Sequence, residues 1–108
     1  MNFEQIKSFL SIEKAGNFSA AAKERYLSQP AISKQLKMLE TELGVQLISR
    51  NSKSITLTEQ GRKFSQYASK LIDIEKDIMI EINQGDEREY EVISIAMPYL
   101  QTESQLGD

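Results

Sequence analysis

The sequence predicts a mainly α fold with one small β-hairpin. Apolar residues recur at helical spacing in four segments, and two of these segments are separated by a turn of only a few residues. A polar turn between two short apolar stretches then precedes the last helix. The chain has 108 residues, which is enough for one small domain and some additional structure.

Capping residues define the first two helices. Asn2 can cap a first helix together with Gln5, and Gly16 is a good stop signal. Ser19 is a candidate cap for a second, short helix that contains three alanines and ends at about residues 26–27. The core face of the first helix is expected to consist of Phe3, Ile6, Phe9 and Leu10.

The stretch "SQPAISKQLKMLETELG", residues 28 to 44, predicts a third helix. Ser28 is its expected cap, and Pro30 fits the first turn, where the missing N–H group has no partner to lose. Gly44 ends the helix. The predicted core stripe is Ile32, Leu36, Leu39 and Leu43. Two helices joined by a turn of about three residues form a helix-turn-helix.

The stretch "VQLISRNSKSITLT", residues 45 to 58, predicts a hairpin, called a wing when it follows a helix-turn-helix. A fourth helix over residues 59–85 would be about 39 Å long, too long to be covered by so small a core. Its apolar stripe is therefore expected to pair with a second copy of the chain. Packing on its own domain or on a further domain is the alternative. The predicted dimerisation residues are Phe64, Ala68, Leu71, Ile74, Ile78 and Ile82.

The remaining residues, 86–108, are predicted to be a linker followed by the start of a second domain. The linker is charged, and "VISIAM" after it has the composition of a buried strand. A single strand has no sheet to join. The chain is therefore expected to stop just inside a truncated domain. This domain follows a winged helix-turn-helix domain at residues 1–58, called the head below, and the long helix at 59–85.

Composition restricts the chemistry of the chain. It has no cysteine and no histidine, so it lacks disulfides, thiolate metal ligands and the commonest general base. We expect no metal, no cofactor and no catalytic residues. No apolar run approaches the ~20 residues of a membrane span, and no secretory signal is visible, which fits a cytoplasmic protein.

Charge is distributed unevenly along the chain. The net charge is -3, but residues 1–60 hold eight Lys/Arg and six Asp/Glu, whereas residues 61–108 hold five and ten. Residues 23–53 alone hold six cations and three acids. A locally basic segment in an acidic chain suits nucleic-acid binding, because cations must collect on one surface. A chance distribution of solvated charges is the alternative.

The face of the third helix opposite its core stripe has a surface suited to duplex DNA. Small or amide-bearing residues come first, followed by two cations, and a major groove about 12 Å wide admits such a helix. Gln29 can bond adenine, the methyl group of Ala31 can contact a thymine methyl, and Lys34 and Lys37 can contact phosphate or guanine. An ordinary solvated helix face is the alternative.

Taken together, "FSAAA", "SQPAISKQLKxLExELGVxLxxR" and "LTEQG" resemble the hallmark pattern of the LysR-type transcriptional regulators. The resemblance covers residues 1 to about 95. It implies a winged helix-turn-helix domain, a dimerising linker helix and a C-terminal effector-binding domain. It also implies homodimers that assemble into tetramers, promoter DNA as partner, and a small-molecule co-inducer bound by the missing C-terminal domain.

The family pattern, transferred position by position, places the helix-turn-helix at about residues 18 to 37. The DNA contacts that it implies are Ser28, Gln29, Pro30, Ala31, Ser33, Lys34 and Lys37, with Arg50 and Lys53 near the wing. Lys34 stands where arginine is common, so a two-point guanine contact becomes a one-point contact. Ile48 replaces a frequent phenylalanine, which is a change in the core.

Two other functions compete with DNA binding. A protein–protein adaptor would use the long helix, and the acidic second half of the chain favours it. An enzyme would use Glu40 and Glu42, or Asp73, Glu75 and Asp77, but each set is explained by an exposed helix surface. No nucleophile–base pair or phosphate-binding loop is recognisable in the sequence.

Overall fold

The structure, a computed structural model, describes residues 1–50 and 54–84. It confirms the predicted order of four helices with a hairpin before the last one. The elements are α1 (Phe3–Ala15), α2 (Phe18–Glu24), α3 (Gln29–Leu43), β1 (Ile48–Ser49), β2 (Thr56–Leu57) and α4 (Glu59–Gln84). The predicted strand of a second domain lies outside the described residues. One compact unit comprises Met1–Asp73, and a second unit begins at Ile74.

α1 begins and ends where the capping residues predict. The side-chain oxygen of Asn2 accepts a hydrogen bond from the backbone N–H of Gln5 at 2.8 Å. Gly16 adopts the left-handed conformation, and its N–H bonds to the carbonyl of Ile12. The reciprocal half of the capping box is not formed, because the buried Oε1 of Gln5 has no hydrogen-bond partner in the described part of the chain.

The prediction that Ser19 caps α2 is wrong. Asn17 is the cap, and its side-chain oxygen accepts from the backbone N–H of Ala20 at 2.7 Å. α2 also ends earlier than predicted, because Tyr26 turns the chain with a positive φ of 58°. Four residues therefore separate α2 from α3.

α3 follows its prediction closely. The Oγ of Ser28 accepts from the N–H of Ala31, Pro30 lies in the first turn, and Gly44 ends the helix in the left-handed conformation. Its apolar stripe is buried in a core that α1, α2, α3, β1 and α4 share. The core side chains are Ile6, Phe9, Ile12, Ala21, Ala22, Ile32, Leu36, Leu39, Leu47, Ile48 and Ala68.

The first half of α4 contributes to this core with three of the residues that the sequence analysis predicted for dimerisation. The ring of Phe64 packs edge-on against Phe9 with 5.3 Å between the ring centroids. Ala68 is fully buried, and Leu71 packs against the same cluster. Ala68 is thus enclosed by its own chain, whereas Phe64 and Leu71 are half-buried against the core.

The hairpin is short and antiparallel. Ile48 pairs with Leu57 and Ser49 pairs with Thr56, so the second strand begins one residue later than Ile55. Residues 51–53 of the predicted polar turn lie outside the described residues. The strand pair lies between α3 and α4, as a wing does.

Gly61 permits a close approach between α4 and the chain before β1. A Cβ atom at this position would lie 2.1 Å from the carbonyl oxygen of Leu47, which is far inside van der Waals contact. Thr58 fixes the same junction, because its N–H donates to Leu47 O at 3.0 Å and its Oγ1 accepts from Gly61 N at 2.9 Å. The glycine that weakens a helix by about 1 kcal/mol is thus required by packing.

We expect Gly61→Ala to lower the free energy of unfolding by about 1–3 kcal/mol, because the added methyl group must displace backbone. Urea unfolding followed by circular dichroism measures the change. Ser69→Ala at an exposed position of α4 is the control and should leave stability unchanged or slightly raised. A stabilised Gly61→Ala protein would show that the contact with Leu47 relaxes without cost.

Candidate nucleic-acid interface

The N-terminal end and the outer face of α3 bring together seven of the predicted DNA-contacting residues. Five of them are exposed, while Ala31 and Ser33 are half-buried. Pro30, Lys34 and Lys37 lie opposite the buried stripe of the same helix, whereas Ser28, Gln29, Ala31 and Ser33 lie at its N-terminal end or flank the stripe. The exposed residues are Ser28, Gln29, Pro30, Lys34 and Lys37.

The two cations on this face are available to an anionic partner. Within residues 1–50 and 54–84, the ion pairs join other groups, and neither Lys34 nor Lys37 has an acidic partner. The first turn of α3 contributes backbone N–H groups and the positive end of the helix dipole on the same side. This face therefore combines positive charge with small polar side chains.

A hydrogen-bond network connects α3 to α1 and to the turn before α3. The sequence patterns did not indicate this network. The fully buried hydroxyl of Ser8 on α1 donates a hydrogen bond to Oε1 of Gln35 on α3. Nε of Arg25 donates to the same hydroxyl at 3.3 Å, and the guanidinium also pairs with Glu4. α1, the turn before α3 and α3 itself are thus tied by hydrogen bonds as well as by apolar packing.

Glu40 is buried, which corrects its assignment to the helix surface. Its Oε2 accepts from the backbone N–H groups of Leu47 at 2.8 Å and Ile48 at 3.2 Å. This carboxylate ties the end of α3 to the start of the wing. The signal was available in the spacing, since residue 40 follows Leu36 by four and adjoins the core stripe. Glu42 is exposed as predicted and pairs with the N-terminal ammonium group of Met1.

Arg50 immediately follows the first strand of the wing and is exposed. Its guanidinium carbon lies 4.9 Å from the centroid of the Phe18 ring, so the wing contacts the start of α2. Lys53, the other predicted wing contact, lies outside the described residues. The structure thus brings one wing residue to the helix-turn-helix.

Residues 1–50 and 54–84 show neither a membrane-spanning helix nor a metal-binding cluster. No helix in this part of the chain is both long and apolar enough to cross a membrane. In the same residues, no group of three or more Asp, Glu, His or Cys side chains is arranged to hold a metal ion.

Two helices joined by a short turn, a two-stranded wing and an exposed polar face on the second helix define a winged helix-turn-helix protein. Residues 3–62 match the family described as bacterial regulatory helix-turn-helix protein, lysR family. Because this match covers more than half of the sequence, the chain belongs to the LysR family.

Curated relatives are transcription regulators. TcbR of Pseudomonas sp. strain P51 is 40% identical over 74 residues, which is 68% of this chain and 25% of that protein. BsdA of Bacillus subtilis is 38% identical over 85 residues, 78% of this chain and 29% of that protein. The chain thus spans less than a third of the length of these two relatives.

Solved structures share the fold. A complex of the CbnR DNA-binding domain with DNA superimposes with a TM-score of 0.75 at 35% identity, covering 79% of this chain and 98% of that one. A complex of the BenM DNA-binding domain with catB site 1 DNA gives 0.73 at 31% identity, covering 84% and 100%. Full-length CbnR with its target DNA gives 0.72 at 36% identity, covering 77% and 29%.

We expect Glu40→Ala to lower the free energy of unfolding by about 2–4 kcal/mol, because two backbone N–H groups lose their acceptor inside the protein. Glu40→Gln keeps one acceptor oxygen and should cost less. Glu42→Ala, two residues further on and exposed, is the matched control, with a change within about 0.5 kcal/mol. Equal effects at positions 40 and 42 in urea unfolding would contradict the structural role of Glu40.

Proposed function

We propose that this chain binds double-stranded DNA sequence-specifically as the DNA-binding part of a LysR-type transcription regulator in the cytoplasm. The observation that supports it most is the face of α3 with two lysines that lack acidic partners within the described residues. The DNA complexes of CbnR and BenM, which share this fold, add support. The curated relatives are regulators, and we propose no enzymatic activity.

In the proposed complex, α3 lies in the major groove with its first turns toward the base edges. The amide of Gln29 can make two hydrogen bonds to adenine, and the methyl group of Ala31 can contact a thymine methyl. Ser33 bonds either a base or a phosphate. Lys34 makes a one-point contact, because an ammonium group lacks the planar fork of arginine. The co-inducer and the tetramer that the family resemblance implies stay predictions for a full-length regulator.

Gln29→Ala and Lys34→Ala should each weaken specific binding by about 1–3 kcal/mol if these side chains contact bases. The probe is a fluorescent duplex selected from a random pool by the wild-type chain. Anisotropy titrations on this duplex and on a scrambled one measure the specific and non-specific affinities at several salt concentrations.

Lys70→Ala is the control for this experiment, since it removes one exposed cation from α4 rather than from α3. It should leave the ratio of specific to scrambled affinity unchanged. Equal loss on both duplexes would make Gln29 and Lys34 backbone contacts. A folded wild-type chain with no DNA affinity at low salt would overturn the proposal and favour the protein–protein adaptor.

We also propose that the chain forms a homodimer through the second unit's part of α4. Ile74, Ile78 and Ile82 follow one another at intervals of four residues and are 52%, 48% and 64% exposed. Residues four apart lie on one side of a helix, so these isoleucines form an apolar strip. A strip of this kind is stabilised when a second helix covers it, and a copy of the same helix is complementary to it in shape and polarity.

Ile78→Lys should shift the chain from dimer to monomer, because a charge would be buried in the paired strip. Ile80→Lys is the matched control. Ile80 is 54% exposed, but two residues further along it points about 200° away around the helix. Sedimentation velocity measures the dissociation constant of each protein. Equal dissociation by both variants, or a monomeric wild-type chain, would contradict the proposed pairing.

A further inference from the structure

The contact between Arg50 and Phe18 joins the two parts of the DNA-binding surface. Phe18 is the first residue of α2, is half-buried, and packs against the core, so its ring has a fixed position. Arg50 is exposed and immediately follows β1. Its guanidinium carbon lies 4.9 Å from the ring centroid, which is within the range of a cation–π contact.

This contact restricts the arginine without using its hydrogen-bond donors. An aromatic face interacts with the guanidinium by charge and stacking, and the planar fork of five N–H donors stays available. Within residues 1–50 and 54–84, no carboxylate or carbonyl group accepts a hydrogen bond from this guanidinium. Arg50 is therefore held in direction, and no group among the described residues accepts a hydrogen bond from it.

The contact lies at the start of the first helix of the helix-turn-helix, and this position matters for how such a motif binds a duplex. The second helix lies in the major groove, and the first helix crosses the sugar–phosphate backbone. α2 is the first helix here, and the Phe18 ring that supports Arg50 is at its first residue. In a complex of this geometry a guanidinium group at this place would lie beside phosphates, and arginine binds phosphate with two parallel hydrogen bonds.

We propose that Phe18 is a positioning residue that orients Arg50 toward a DNA phosphate, so that the two residues form one phosphate-binding unit. This inference rests on the proposed DNA binding. Because an exposed arginine samples many rotamers, holding it in place lowers the ordering cost on binding. The contact does not distinguish between bases, so it acts equally on every DNA sequence.

A double-mutant cycle tests the coupling between the two residues. The proteins are the wild-type chain, Phe18→Leu, Arg50→Ala and the double variant, with Phe18→Tyr as the variant that keeps the ring. The probe is a fluorescent mixed-sequence duplex of about two helical turns, which suffices because the contact is independent of sequence. Affinities are measured by anisotropy between about 50 mM and 200 mM salt, and urea unfolding of each protein reports its stability.

Phe18→Leu should weaken binding about twofold to fivefold, the factor expected for one exposed cation–π contact. It should leave the slope of affinity against salt unchanged, because the charge of Arg50 remains. Arg50→Ala should reduce that slope by about one. In the Arg50→Ala background, Phe18→Leu should have no further effect on affinity, and Phe18→Tyr should bind like the wild type.

Two results would overturn the inference while leaving the proposed function intact. One is an unchanged affinity of Phe18→Leu, and the other is an equal loss with and without Arg50, which would make Phe18 a core residue only. A wild-type chain that shows no salt-dependent binding to the duplex would overturn the proposed function, and the inference with it. The salt series on the wild type therefore separates the two failures.

Discussion

Burial of the apolar stripe of α3 is the constraint on which the rest of the structure depends. Ile32, Leu36 and Leu39 are fully buried among α1, α2 and the start of the wing. The helical period fixes which residues lie opposite this stripe, so burying the stripe determines which residues are left exposed. The capping of α3 by Ser28 and Gly44 then sets where that exposed side begins and ends. The candidate DNA surface is thus a direct result of core packing.

The wing and α4 are attached to α3 through its C-terminal end. The carboxylate of Glu40 binds the two N–H groups at the start of the hairpin, and the close approach at Gly61 brings α4 against Leu47. Both contacts are made to backbone atoms. Neither contact can therefore be replaced by changing the size of a nearby side chain. The head, the wing and the beginning of α4 therefore form a single packed unit, and the half-buried ring of Phe64 extends its core.

Much of this arrangement was predictable from the sequence. Strong local signals, namely Asn2, Ser28 and Gly44 as caps and periodic apolar residues between them, gave the helices and the exposed face of α3. Contacts between distant residues could not be predicted, because periodicity shows only which side of a helix is apolar. The hydrogen bonds that Glu40 accepts from the start of the wing, and the hydrogen bond of Ser8 to Gln35, depend on which elements meet in space. The cap at Asn17 was missed because Asn17 and Ser19, two residues apart, both have side chains that can cap a helix.

The same limitation explains why the stripe of α4 was assigned a single role. Its period is continuous along the helix, whereas the core is small and covers only its first turns, at Phe64, Ala68 and Leu71. From Ile74 onward the isoleucines of the stripe are exposed. Sequence spacing shows that a stripe exists, but it does not show which of its residues join the core.

The hydrogen bond between Ser8 and Gln35 has a consequence for the evolution of base preference. Together with the buried leucines it fixes the roll of α3 about its own axis, and the angular position of every side chain on the outer face depends on that roll. In the proposed DNA complex, a substitution on α1 that removes this bond would therefore alter how the outer face is presented to the duplex. A residue of α1 that does not itself face the duplex can in this way influence base preference.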